Sequence, residues 1–106
     1  MTKGERTRTL AGPQVVLPLA GELDVWSATE AHKRMLGLEL RPGDQLVLDL
    51  SGLTFMDSTG IRLLLRASEH AGRRGAGFSV VRPPEHVMRV LELVGLVEQL
   101  DVIERL

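Results

Sequence analysis

The sequence predicts a single small α/β domain: a mainly parallel sheet of four to five strands, with three to four helices largely on one face. Short apolar segments alternate with helical ones along the chain, and this order implies parallel neighbours joined by right-handed crossovers. If consecutive strands are also neighbours in the sheet, these crossovers place the helices on one face. Asp49, in the middle of a strand, fits a sheet whose other face is only partly covered.

Length and composition indicate one globular domain. The chain has 106 residues, 43% hydrophobic and 25% charged, as in ordinary soluble domains. We assign residues 1–106 to this domain, with a core at about 15–104 and flexible residues at 1–6. The net charge of −1 argues against a protein that coats nucleic acid. The chain has no cysteine and no apolar run of membrane-spanning length, and residues 1–6 lack the apolar core of a signal peptide, so we expect a cytoplasmic protein.

The first elements are two short strands and a helix. Residues 7–10 and 15–19 are predicted strands, and Pro18 requires either an outer edge or a bulge, because proline cannot donate to a sheet ladder. Residues 21–24 close the second strand and open the first helix, and Ser27 to Glu30 has capping-box spacing. This helix presents an inward stripe of Ala28, Ala31, Met35 and Leu38.

Residues 46–60 are predicted to form a strand and then a loop, followed by a helix at residues 61–71. Leu46, Leu48 and Leu50 alternate with other residues and give the strand one apolar face. Capping and turn residues stand where the helix begins. These residues are Asp57, Ser58, Thr59 and Gly60. Two hydroxyls and a carboxylate are therefore expected at a helix N-terminus.

The last third of the chain repeats this alternation. The glycine-rich residues 72–77 stop the second helix, and residues 78–81 form a strand. Residues 83–85, with two prolines, start a third helix, which Gly95 ends. Residues 100–103 form the last predicted strand.

Residues 21–24 and 56–60 are expected to form one surface, because loops at the carboxyl ends of parallel strands gather at one edge of the sheet. Phosphorylation of Ser58 or Thr59 would add about −1.5 to −2 charges at a helix end whose free amides and dipole accept an anion. Residue types alone favour the simpler interpretation, in which Asp57 or Ser58 only caps the helix.

Three segments resemble the STAS domain family, and within it the bacterial anti-sigma factor antagonists. They are Gly-Glu-Leu-Asp at 21–24, the run at 48–60, and Leu-Val-Gly-Leu at 93–96, and the resemblance spans residues 15–104. It implies a STAS-type fold. It also implies that Ser58 is the phosphoacceptor, matching the serine of the family's Asp-Ser-x-Gly motif, with Asp57 and Gly60 as its motif partners. Thr59 is the alternative acceptor.

The resemblance further implies a partner, an ATP-binding serine kinase that is also an anti-sigma factor. The unphosphorylated antagonist binds this kinase and releases sigma factor, whereas the phosphorylated form cannot. The edge described above supplies the residues that we expect to bind it. These are Gly21, Glu22, Asp24, Trp26, Met56, Asp57, Thr59, Gly60 and Arg62.

Two of these assignments have an alternative. Trp26 is either an exposed contact for the partner or a residue that packs at the helix entry beside Val25. Arg62, with Arg66, either contacts a phosphate or partner or belongs to the solvated face of a helix.

No enzyme, cofactor or metal site is predicted. A serine nucleophile needs a base within reach, and no motif links His32, His70 or His86 to Ser58. No two histidines have metal-ligand spacing. The glycines of residues 72–77 precede a strand, the wrong order for a phosphate-binding loop. A hydrolase using Ser58 is therefore disfavoured.

The main rival hypothesis is a constitutive accessory or ligand-sensing STAS domain, such as a lipid-transporter subunit or a nucleotide-binding module. Such relatives often lack the phosphoacceptor tetrad, so residues 57–60 favour the antagonist. We expect a monomer or weak dimer that binds neither nucleic acid nor a membrane directly.

Overall fold

The structure, a computed structural model, describes residues 12–106. The predicted strand at residues 7–10 and the predicted flexible residues 1–6 lie outside this range. Four strands and three helices are found in the described residues. They are β1 (Gln14–Leu23), α1 (Val25–Leu36), β2 (Gln45–Met56), α2 (Ser58–Arg73), β3 (Gly77–Val81), α3 (Glu85–Leu93) and β4 (Val102–Ile103). None of the described helices is long and apolar enough to cross a membrane.

The sheet is parallel throughout, in the order β1-β2-β3-β4. Each strand is the neighbour of the next along the chain, so right-handed crossovers place the helices on one face. The core agrees, because Leu48 of β2 shares one buried cluster with Ala31 of α1, Leu64 of α2 and Leu91 of α3. The predicted fold class is confirmed.

Pro18 lies where the pairing of β1 with β2 changes register. It stands opposite Asp49, and the register shifts before Ala20 and again after Gly21. Both explanations of this proline hold in the described residues, since β1 is the outer strand and an irregularity follows Pro18 directly. The shifts add two residues to β2 and bring its last residue, Met56, opposite Leu23.

The strand predicted around Leu46, Leu48 and Leu50 is present, and β2 continues to Met56. Its second half pairs with the second half of β1, and Leu53 and Met56 turn into the core. This pairing supplies backbone partners that local turn propensity does not reveal. As a result α2 begins at Ser58, three residues earlier than the apolar pattern indicates. At the other end of the chain, β4 is confined to the two residues that pair with Val80 and Val81.

His70 is a buried titratable group on the core side of α2. Its side chain is 6% exposed, and its Nε2 atom has no hydrogen-bond partner among residues 12–106. Burial, followed by the nearby charges of Arg74, Arg73 and His32, lowers the pKa of His70 below its ordinary value. The unfolded chain therefore takes up this proton more readily than the folded one, and the stability that neutral His70 provides is lost as the pH falls.

We accordingly expect the free energy of unfolding to decrease between about pH 7.5 and about pH 5.5. His70→Leu should flatten this dependence because it removes the buried titratable group. Urea unfolding at several pH values measures it, and His86→Gln, at an exposed histidine, is the matched control. An unchanged slope in His70→Leu would contradict the assignment.

Candidate functional site

Two helix N-termini lie side by side at the carboxyl edge of the sheet. The helix α1 follows β1 and α2 follows β2, and these strands are neighbours whose last residues, Leu23 and Met56, stand opposite each other. The amide of Asp57 donates to the carbonyl of Leu23 at 3.4 Å. Residues 21–24 and 56–60 are thus brought together, with Asp24 and Asp57 capping the two helices. We call residues 21–26 and 55–62 the capping edge.

Asp24 caps α1 through a capping box. Its Oδ1 atom accepts hydrogen bonds from the amides of Trp26 and Ser27, both at 3.1 Å, and Ser27 Oγ accepts from the amide of Asp24 at 2.9 Å. The bond from the Ser27 amide contributes most to lowering the pKa of Asp24. The expected box from Ser27 to Glu30 is wrong, because β1 ends at Leu23 and leaves Asp24 at the cap.

Asp24→Ala is expected to lower the melting temperature by several degrees, because two helical amides lose their acceptor. Asp24→Asn keeps a side-chain oxygen at the cap and should stay close to wild type. Thermal unfolding followed by circular dichroism measures both. Equal losses in the two variants would show that the negative charge, and not the cap, is what stabilises α1.

Asp57 holds the hydroxyl of Thr59. Its Oδ1 atom accepts from the Thr59 hydroxyl at 2.5 Å and from the Thr59 amide at 2.9 Å. The hydroxyl bond contributes most to lowering the pKa of Asp57. In contrast, Ser58 is exposed, and its hydroxyl has no hydrogen bond to any of residues 12–106. The two candidate hydroxyls therefore differ: that of Thr59 is engaged in the cap and that of Ser58 is open to an approaching group.

Gly60 is a packing residue. A Cβ atom at this position would lie 2.5 Å from Met56 Cγ and 2.9 Å from Leu23 Cδ2, which is closer than nonbonded carbon atoms can approach. The missing side chain lets the first turn of α2 press against the ends of β1 and β2. Gly60 and Met56 are both buried, so they form the packed interior of the capping edge.

Apolar side chains are exposed at the same edge. Trp26 is 81% exposed and Val25 is 57% exposed, so Trp26 does not pack into the helix entry. Phe55 is 47% exposed and stands opposite the exposed Glu22. Phe55 is not among the site residues that the sequence predicts, because the register shift between β1 and β2 leaves no mark in the apolar pattern.

A groove of about 300 Å³ opens between α1 and α2. Val25 and Leu63 contribute apolar surface to it. Its titratable lining, among the described residues, is His32, Arg62 and Arg66, and Thr59, the residue after Ser58, also lines it. Both arginines are exposed.

The three histidines occupy three different places in the structure. His70 is buried on α2, His32 lines the groove between α1 and α2, and His86 Nε2 lies 2.6 Å from the carbonyl oxygen of Thr54. Within residues 12–106 none of them is hydrogen-bonded to Ser58. In the same part of the chain, no three His, Cys, Asp or Glu side chains converge in a way that could hold a metal ion.

Comparison with known proteins gives a consistent set of matches. A family model described as "Mlab, STAS domain" matches residues 7–104. An anti-sigma F factor antagonist of Paenibacillus polymyxa is 32% identical over 85 residues, which cover 77% of this chain and 71% of that protein. An anti-sigma-B factor antagonist of Bacillus subtilis is 26% identical over 84 residues, which cover 79% of this chain and 76% of that protein.

Two solved structures show the same likeness. An anti-sigma factor antagonist from Mycobacterium paratuberculosis has a TM-score of 0.76 and 27% identity, with coverage of 93% of this chain and 86% of that one. The STAS domain of a SulP transporter from Vibrio cholerae has a TM-score of 0.68 and 25% identity, with coverage of 92% and 77%. The fold is therefore similar to that of both regulators and transporter domains.

Proposed function

This chain belongs to the STAS domain family, as its sequence motifs predicted, and from that premise we propose that it acts as an anti-sigma factor antagonist. In this proposal it is a protein-interaction module without catalysis of its own. Unphosphorylated, it binds an ATP-dependent serine kinase that is also an anti-sigma factor, and the kinase releases its sigma factor. Phosphorylation of Ser58 ends this binding. Relatives that are antagonists in two bacterial species support the general role.

One observation carries the assignment of Ser58. It is the first residue of α2, its side chain is exposed, and its hydroxyl is unengaged among residues 12–106. A kinase would transfer the γ-phosphoryl group of ATP to Ser58 Oγ, releasing ADP and the hydroxyl proton. Because Thr59 Oγ1 donates to Asp57, the same reaction at Thr59 would first break this hydroxyl bond.

The electrostatics of the capping edge suggest how the switch acts. Glu22, Asp24 and Asp57 already give this edge negative charge, and a phosphate would add about −1.5 to −2 charges. The helix end accepts an anion without unfolding, so the fold stays intact while the surface potential changes. The added charge would repel an acidic partner surface, and the phosphate group would block close packing. The signal is a difference in binding between two forms of one fold.

Trp26 is proposed as an anchor for the kinase, because it is the most exposed aromatic residue of the capping edge and buried aromatic anchors carry much of the energy of an interface. We expect Trp26→Ala to weaken kinase binding about tenfold or more with little effect on stability. Isothermal titration calorimetry measures the affinity. Leu93→Ala is the matched control, since Leu93 is 82% exposed but lies at the end of α3. Equal affinities of wild type and Trp26→Ala would contradict the proposal that Trp26 contacts the kinase.

The likeness to a transporter STAS domain makes an accessory subunit of a transporter the second candidate. The two functions are separated by titrating the unphosphorylated protein with each anti-sigma factor kinase encoded in its genome. Saturable binding that displaces a sigma factor supports the antagonist. Absence of binding to every such kinase, together with stable association with a transporter subunit, would support the second candidate.

A further inference from the structure

The groove between α1 and α2 combines apolar walls with basic side chains. Its volume of about 300 Å³ and its lining of His32, Arg62 and Arg66 suit a compact anion better than an apolar ligand. No carboxylate among the described residues lines it. Nor does either arginine form an ion pair with a carboxylate of residues 12–106, where the ion pairs lie elsewhere. The positive charge of this groove is therefore not neutralised within the described part of the chain.

Ser58 stands next to this groove on the same helix. At about 100° of rotation per residue, Arg62 is turned only about 40° from Ser58 around α2, and Arg66 a further step of about 40° in the same direction. Residues four apart on a helix are surface neighbours, and an acidic group placed before a basic one is the favourable order. Arg62 thus lies between Ser58 and the centre of the groove.

We propose that the groove between α1 and α2 is the receiving site for the phosphate of phosphorylated Ser58, with Arg62 as its principal ligand. The occupant is a phosphomonoester dianion of this same chain. A guanidinium group can donate two parallel hydrogen bonds to such an anion, and Arg66, which also lines the groove, adds positive potential from the next turn of α2. The inference rests on the proposed function for the phosphorylation event itself.

This arrangement gives the switch a second consequence. The phosphate adds negative charge at the capping edge and at the same time occupies Arg62, so a partner carboxylate that pairs with Arg62 in the unphosphorylated form loses that cation. The N-terminal amides of α2 attract a phosphate without selecting its orientation, whereas Arg62 would orient the phosphate toward α1. The contribution of Arg62 can therefore be separated from that of the helix end.

The test uses full-length protein with phosphoserine installed genetically at position 58, so that no kinase is needed. Phosphorus NMR follows the second ionisation of the phosphate, which ordinarily has a pKa of about 6. We expect the midpoint in Arg62→Gln to be about half a unit higher than in the wild type, because the dianion loses its guanidinium partner. Arg62→Lys keeps the charge but not the paired donors, and its midpoint should lie between those of the wild type and Arg62→Gln.

Arg73→Gln is the matched control. It removes one positive charge from the same helix, about 22 Å from position 58 at 1.5 Å per residue, and should leave the midpoint where it is in the wild type. Circular dichroism of each variant shows whether the fold is retained. If Arg62→Gln and Arg73→Gln titrate alike, the proposal is wrong.

A second arm distinguishes the phosphate of Ser58 from free phosphate. Inorganic phosphate is added to the unphosphorylated protein while the Nε–H signals of its arginines are observed. Signals of Arg62 that move more in the phosphoserine protein than with excess inorganic phosphate support the proposal. Movement with inorganic phosphate alone would define a site for a free anion and overturn it. Because no kinase takes part, failure here leaves the antagonist function standing, and the loss of that function would not alter these NMR results.

Discussion

Ser58→Ala is expected to abolish phosphate incorporation when the protein is incubated with its kinase and ATP. The reason is chemical, since alanine has no hydroxyl to accept the phosphoryl group, and the neighbouring Thr59 hydroxyl is held by Asp57 at 2.5 Å. Intact mass spectrometry should show the mass of one phosphate added to the wild type and none added to Ser58→Ala.

Thr59→Val provides the control for this experiment. It removes the competing hydroxyl, and we expect phosphorylation at Ser58 to persist in a protein that is less stable, because Asp57 loses one of its hydrogen bonds. Phosphate on Ser58→Ala, and none on Thr59→Val, would move the acceptor to Thr59 and contradict the assignment.

Gly60→Ala is expected to destabilise the protein by about 2 to 3 kcal/mol, in the upper part of the range for overpacking a well-filled core. The added methyl group would meet Met56 Cγ at 2.5 Å and Leu23 Cδ2 at 2.9 Å, so α2 must move away from the ends of β1 and β2. This movement displaces Ser58, and we expect slower phosphorylation as well as lower stability. Urea unfolding and the initial rate of phosphate incorporation measure the two effects.

Gly72→Ala is the matched substitution in the same helix. Apart from its chain neighbours and the backbone of α2, no atom of residues 12–106 lies within 4 Å of a Cβ placed there. Alanine is also the better helix former, so we expect a gain of about 0.5 to 1 kcal/mol. A loss of stability at Gly72 equal to that at Gly60 would show that helix propensity, and not close packing, governs both positions.

The fold was largely predictable because its signals are local. The alternation of Leu46, Leu48 and Leu50 marks the helix-facing side of β2, and all three residues are buried. The order of strands and helices then fixes a parallel sheet with one covered face. The extension of β2 to Met56 was not predictable in this way, because it depends on pairing with residues of β1 more than thirty positions earlier in the chain.

Part of the candidate site is likewise predictable from local sequence, and part depends on contacts between distant residues. Asp57 at a helix start is readable from residue types, and so is the gathering of two loops at one edge of the sheet. The different states of the Ser58 and Thr59 hydroxyls require the geometry of the cap, and the exposure of Phe55 follows from a register shift. The motif predicts Gly60 as a partner-binding residue, and the contact distances add that the packing of α2 depends on it.

The most direct test of the account is the affinity of the kinase for the unphosphorylated protein and for the same protein phosphorylated at Ser58, measured side by side by calorimetry. We expect phosphorylation to weaken binding by about a hundredfold or more, while circular dichroism shows the fold unchanged. Equal affinities of the two forms in the presence of an active kinase would contradict the proposal that Ser58 is the switch.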